Sequence, residues 1–156
     1  MTDRFAYPLF AAVLVALAVY GVVRAITHAR GRRLAWAAVV VWMLATVFMT
    51  VRPGTGRGVR LNLVPWPDGR GSAFDAILNT GVFVPLGLLL ATLGWRLVLA
   101  LAAGLAVSLT IEVVQYVSDL GRTADVNDLI TNTLGAGIGW GAAWLLMSLR
   151  SRPRGG

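Results

Sequence analysis

The sequence predicts an all-α fold, a polytopic bundle of about five transmembrane helices, on three observations. Hydrophobic residues make up 57% of the chain and charged residues only 13%, too little polar surface for a soluble domain of 156 residues. The apolar runs approach the roughly 20 residues that a helix needs to cross hydrocarbon. They are continuous rather than alternating, which selects helices over barrel strands as the hydrogen-bonded way through a bilayer.

The first apolar run covers about residues 5–23. A basic cluster follows it rather than leading it, and no small-x-small cleavage site precedes a mature domain, so it reads as a retained helix and not a signal peptide. After Arg24, Arg30, Arg32 and Arg33 a second span covers about 34–51. The external loop, about 52–73, is rich in proline and glycine and is expected to lack regular structure, with Leu61 to Trp66 an apolar patch at the interface. The third span, about 74–93, opens with Asp75 and Asn79 one turn apart and contains Pro85, which removes a backbone hydrogen bond and bends a helix. Arg96 marks a tight turn into the fourth span, about 97–117; the fifth covers about 128–149, and a basic tail, 150–156, closes the single domain of residues 1–156. Trp36, Trp42, Trp66, Trp95, Trp140 and Trp144 read as interfacial anchors, and His28 as a solvated loop residue.

All 14 basic residues are arginine, and the formal net charge is +7. Because the arginines fall between apolar runs, they read as topology signals and contacts to anionic headgroups, not as a nucleic-acid surface. The clusters flanking spans one, two and five put the N-terminus outside and the C-terminus in the cytoplasm. With no cysteine, neither disulfides nor thiolate metal sites enter.

The polar residues gather on helix faces. Glu112 and Gln115 are three apart; Asp125, Asp128 and Asn132 fall at i, i+3 and i+7, and Gly135 and Gly139 continue that stripe. With Asp75, Asn79 and Ser108, and with Arg122 in the link, they predict one pocket opening to the outside. Ionised groups on membrane helices are costly and default to function, although Glu112 paired with Arg122 could serve only to fix a hairpin. Asp125 and Asp128 have the spacing of a helix cap. The overlapping GxxxG spacings, Gly135 to Gly139 and Gly137 to Gly141, indicate close helix packing, within the chain or between two copies through Gly135 and Gly139. Clustered carboxylates can hold a hard divalent cation, but the spacing does not demand one, and no other cofactor is expected. Binding of an envelope lipid or cell-wall precursor, catalysis on a lipid-linked phosphate or glycan with Glu112 as base, and a transport or proton-relay role all remain open. No catalytic residue is assigned.

The segments NLVPW (Asn62 to Trp66), DAILNTGVFVPLG (Asp75 to Gly87), EVVQ (Glu112 to Gln115) and RTADVNDLITNTLGAGIG (Arg122 to Gly139) together resemble the VanZ-like family of small bacterial membrane proteins. Four motifs occur in the family's order, with Trp66 where the pattern has phenylalanine; spans one and two match only in being hydrophobic. The resemblance implies a polytopic protein of the bacterial cell membrane. For the family's named member it implies low-level resistance to teicoplanin, a lipid-tailed glycopeptide. It implies no catalytic mechanism.

Overall fold

Each apolar run folds as one helix, and the polar punctuation between runs makes the turns. The computed structural model describes residues 3–54, 61–65, 73–118 and 121–150. Its helices are α1 (Asp3–Thr27), α2 (Arg32–Thr50), α3 (Ala73–Thr92), α4 (Leu97–Ser118) and α5 (Val126–Arg150). The first four are long and apolar enough to cross a membrane. Among them and α5 the side chains facing outward are apolar, including Val15, Val19, Leu44, Phe48, Leu105, Leu109, Ile138 and Leu149, while Ser108, Glu112, Gln115, Thr131 and Asn132 are buried. That inversion of the soluble pattern suits a hydrocarbon surround.

The fifth expected span departs from the other four in composition. α5 is 25 residues long, but its first turns carry Asn127, Asp128, Thr131, Asn132 and Thr133, so it falls outside the set apolar enough to cross on composition alone. It is held instead by α3, its parallel neighbour. A β-carbon on Gly135 would collide with the Thr80 carbonyl, one on Gly139 with the Val84 carbonyl, and one on Gly87 with the Ala136 carbonyl. The stripe of small residues therefore brings two backbones together within this chain, as small-xxx-small packing does in membranes.

Along its axis the bundle divides in two. At the end containing the α3–α4 turn it is solid: Leu17, Ala35, Ala38, Trp42, Phe83, Leu86, Leu89, Leu90, Leu93 and Ala100 form one apolar cluster. Trp42 is fully buried, with its ring edge-to-face on Phe83 at 5.1 Å and its indole N–H donating to the Val82 carbonyl at 2.7 Å. It is an interior packing residue and not the anchor expected. Pro85 cannot donate to the Gly81 carbonyl one turn back, and the Trp42 bond braces α3 beside that gap. Trp140 likewise donates inward, to the Trp95 carbonyl at 2.8 Å. Trp66, Arg152 and Arg154 lie outside the described residues.

The turns at this end are closed by their own backbone. Gly94, at φ 85°, lets Trp95 N–H reach the Leu90 carbonyl at 3.0 Å and Gly94 N–H the Ala91 carbonyl at 2.9 Å, the bond pair of a Schellman stop. His28 has a left-handed φ of 49° after α1, with Ala29 N–H on the Arg24 carbonyl at 3.3 Å; it is a turn residue and not simply a solvated one. Arg24 is 4% exposed and donates to the carbonyls of Gly31 (2.6 Å) and Ala29 (2.9 Å) and to Thr92 Oγ1 (3.3 Å). An arginine read as a topology signal thus also ties the α1–α2 turn to the end of α3.

At the other end the loop after α2 is not irregular throughout. Leu61–Asn62 (β1) pairs in parallel with Ala124–Asp125 (β2), Leu61 opposite Ala124 and Asn62 opposite Asp125. The β1 segment is thereby fastened to the start of α5.

Substituting Gly139 by leucine should push α3 from α5 and lower stability in detergent by ~1–3 kcal/mol, the usual cost of overpacking. Gly141→Ala, whose β-carbon would meet nothing within 4 Å, should leave the melting temperature unchanged or raised. Equal melting of both variants would contradict the close contact.

Candidate functional site

The polar end is hollow. A cavity of about 790 Å³ runs between the helices, walled by α1, α2, α3 and α4 and reached by the first turns of α5. Of the residues singled out in the sequence, Asp75, Asn79, Glu112, Gln115, Arg122, Asp128 and Asn132 line it. Asp125 does not. It faces a separate apolar groove of about 220 Å³ beside Leu61, Leu109 and Tyr116, and Glu112 borders both spaces.

The local geometry explains that separation. Asp125 is the N-cap of α5: its Oδ1 accepts the Asn127 backbone N–H at 2.8 Å and the Asn127 amide at 2.9 Å, while Oδ2 accepts the Asn62 amide at 3.0 Å. Both oxygens are committed to holding β1 against the helix start, as capping carboxylates do. Asn127 also reaches the Val64 carbonyl at 3.3 Å, and Asn62 Oδ1 accepts the Val64 N–H at 3.2 Å. The Asn62 motif therefore builds a clamp beneath the cavity.

Asp128, three residues on, points the other way. Its Oδ1 accepts the Asn79 amide from α3 at 2.7 Å, so the tight α3–α5 contact continues upward as a side-chain bond. Asn132 donates to Ser108 Oγ at 2.9 Å, which joins α5 to α4. Glu112 Oε2 accepts the Asp125 backbone N–H at 2.7 Å. Its partner in the hairpin is thus a main-chain donor of the strand, and Arg122, the alternative partner, places its Nε on the Arg52 carbonyl at 3.2 Å.

Gln115 is 6% exposed, lines the cavity and makes no hydrogen bond with any described residue. Arg122 and Gln115 also border a polar cleft of about 330 Å³ with Tyr7, Gly54 and Thr123. Arg52 stacks over Tyr7 and Phe48, with its guanidinium carbon 5.8 and 5.5 Å from the ring centres, so a second arginine stands beside the α1 wall.

Sequence reasoning missed the contribution of α1 and α2. Tyr7, Thr46 and Thr50 line the cavity, and Thr46 Oγ is, among the described residues, a buried side-chain atom without any hydrogen bond. A threonine every turn within an apolar run was the available signal. Asn127 was missed because it lies off the stripe, and Asn62 because its partner is far along the chain. No three Asp, Glu or His side chains among the described residues come together as a set able to hold a metal ion.

Residues 35–147 match the family model for VanZ/LLP1, from the start of α2 nearly to the end of α5. The chain belongs to the VanZ/LLP1 family. The match takes in α2, which the motifs had left out, and all the polar wall except the α1 side. No curated protein and no solved structure matches this VanZ/LLP1 chain.

A double-mutant cycle on Asn62→Ala and Asp125→Ala, read by thermal unfolding, should give a coupling of ~1.5–3 kcal/mol for a hydrogen bond to a charged group. Asp125→Ala alone should cost more than Asn62→Ala, because it also removes the cap of α5. Strict additivity would break the clamp.

Proposed function

We propose that this VanZ/LLP1 protein holds an amphiphilic envelope component, a membrane lipid or a lipid-linked cell-wall precursor, and thereby lowers sensitivity to teicoplanin-type lipoglycopeptides. The observation that carries the reading is the division of one cavity wall. Asp75, Glu112, Gln115, Arg122 and Asp128 stand at its polar end, and Phe10, Leu14, Ile77, Val82 and Phe83 line the rest of the same 790 Å³ space. From Tyr7 to Val15 on α1, and from Asp75 to Phe83 on α3, the lining extends eight residues, about 12 Å at 1.5 Å per residue. That length suits a head at one end and the first part of a hydrocarbon chain at the other.

In this reading Arg122 takes an anionic group of the head, since guanidinium matches phosphate in shape and charge. The carboxylates and amides orient what is attached to it. The polar end faces outward, on the arginine clusters at the opposite end, where lipid-tailed glycopeptides and lipid-linked cell-wall precursors meet.

A susceptible bacterium expressing the chain should tolerate more teicoplanin than the vector control. Glu112→Gln and Asp128→Asn, at equal membrane abundance by immunoblot, should return sensitivity to the vector level. Full protection by both variants would assign the carboxylates to structure alone and remove this reading.

A further inference from the structure

The polar cleft of about 330 Å³ and the cavity of about 790 Å³ meet at Tyr7, Gln115, Arg122 and Asp128, each of which lines both. On one side of that boundary lie Phe10, Leu14, Val82 and Phe83. On the other lie Pro53, Gly54, Gly121 and Thr123, where backbone and a hydroxyl replace most of the hydrocarbon. The boundary is therefore the place where the surroundings of a bound molecule would change from apolar to polar.

Unbonded polar atoms gather at the same boundary. Gln115 is 6% exposed, and its amide bonds to no described residue. Its oxygen and nitrogen are not among the fully enclosed atoms that lack a bond, so both reach open space at the boundary. Buried amides are normally satisfied. Arg122 stands beside it with its stem fixed: Nε donates to the Arg52 carbonyl at 3.2 Å, and a β-carbon on Gly54 would strike Arg122 Cγ. Nη1 and Nη2 bond to no described residue. Asp128 spends Oδ1 on Asn79, and its Oδ2 bonds to no described residue. The boundary thus offers a guanidinium fork, an amide and one carboxylate oxygen.

We infer that one amphiphile spans both spaces with a phosphodiester at their boundary: the phosphate accepts from Arg122 Nη1 and Nη2 and from the Gln115 amide, the hydrocarbon occupies the cavity, and a hydroxyl-bearing head, such as glycerol or a sugar, extends into the cleft and donates to Asp128 Oδ2. Position selects the diester. A group held at the boundary has apolar surroundings on one side and polar ones on the other, so it is a link within the occupant and not its end. A monoester is an end; it carries close to two negative charges near neutral pH and brings no donor to Asp128. An ammonium head would gain from Asp128 and lose to Arg122, which border the cleft together. A hydroxyl donates to the carboxylate without that loss. This inference rests on the reading that the cavity holds an amphiphile, and it names the occupant's linkage and head.

The test uses the purified full-length protein in a polyoxyethylene detergent, which has no sugar head to compete, and its melting temperature with phospholipids of one short acyl composition. Phosphatidylglycerol should stabilise it at concentrations about tenfold below phosphatidylmethanol, which keeps the diester and its charge but has no head hydroxyl; tenfold is the effect of one hydrogen bond. It should also act below phosphatidylethanolamine and phosphatidic acid. Gln115→Leu removes a group without a partner in the fold, so it should leave the ligand-free melting temperature unchanged or raised while weakening phosphatidylglycerol and phosphatidylmethanol alike, about tenfold. Asp128→Asn should instead narrow the gap between those two lipids, a ratio that a general loss of stability would not change. Equal potency of phosphatidylmethanol or phosphatidylethanolamine would overturn the hydroxyl-bearing head, and equal or greater potency of phosphatidic acid would overturn the internal phosphate; either leaves amphiphile binding in place. No stabilisation by any lipid would overturn both readings. Glycerophosphoglycerol, which has the head without the chains, should bind more weakly than the lipid; equal potency would overturn a lipid as the source. A fall in the ligand-free melting temperature of Gln115→Leu would make the amide structural and overturn the inference.

Discussion

The close approach of α3 and α5 is the contact on which the remainder depends. Gly87, Gly135 and Gly139 leave no room for a β-carbon against the facing carbonyls, so the two backbones touch in one register. Register is what fixes the site: with Gly135 against Thr80, Asp128 two turns toward the polar end accepts the Asn79 amide at 2.7 Å. In a bilayer, where lipid tails are as apolar as leucine, this packing and the interhelical hydrogen bonds beside it hold helices together in place of the hydrophobic effect. The low apolarity of α5 follows from the same arrangement. Its inner face gains by being small and polar, and only its outer face, with Leu134, Ile138, Leu145 and Leu149, has to meet lipid.

A second constraint acts on Glu112. The backbone N–H of Asp125 belongs to the residue opposite Asn62 in the strand pair, so the carboxylate is positioned by the clamp that also caps α5. One aspartate therefore holds the scaffold with both its oxygens, while the residue three positions on keeps an oxygen for the cavity. Similar spacing in sequence conceals two different tasks.

Much of this was legible in the sequence, for identifiable reasons. Apolar runs broken by arginine, glycine and proline reveal helices because each break coincides with a turn, and the helix ends fall within a few residues of where the runs end. Seven of the eight candidate side chains line one cavity: helical periodicity picks out Asp75 with Asn79 on α3, Glu112 with Gln115 on α4 and Asp128 with Asn132 on α5 as pairs that share a face, and Arg122 joins them from the link. The eighth, Asp125, was misassigned because the stripe extends one step beyond the helix, and a cap does not share the helix's facing. The β1–β2 pairing was illegible: two residues per strand show no alternation, and the partners stand 63 residues apart. Trp42 was misread, and the second task of Arg24 missed, because tryptophan and arginine in a membrane protein suit an interface as well as an interior. Only the chain's own carbonyls, those of Val82, Ala29 and Gly31, decide between the two.

The distribution of these bonds bears on how the cavity is closed. Polar ties of α1 and α2 to the other helices cluster at the solid end: Trp42 to Val82, Arg24 to Thr92, and Arg150 to the Ile26 carbonyl at 3.0 Å. At the hollow end the α3–α5 pair and α4 hold one another through Asn79, Asp128, Ser108 and Asn132, and α2 meets them through the Arg52 carbonyl and Arg122 Nε. The charged wall is therefore set on rigid, mutually bonded helices, while the facing wall of α1 and α2 carries the unpartnered Thr46. Such a division keeps the carboxylates fixed in orientation whatever fills the space. It leaves the other side of the cavity to the two helices whose polar ties lie at the solid end.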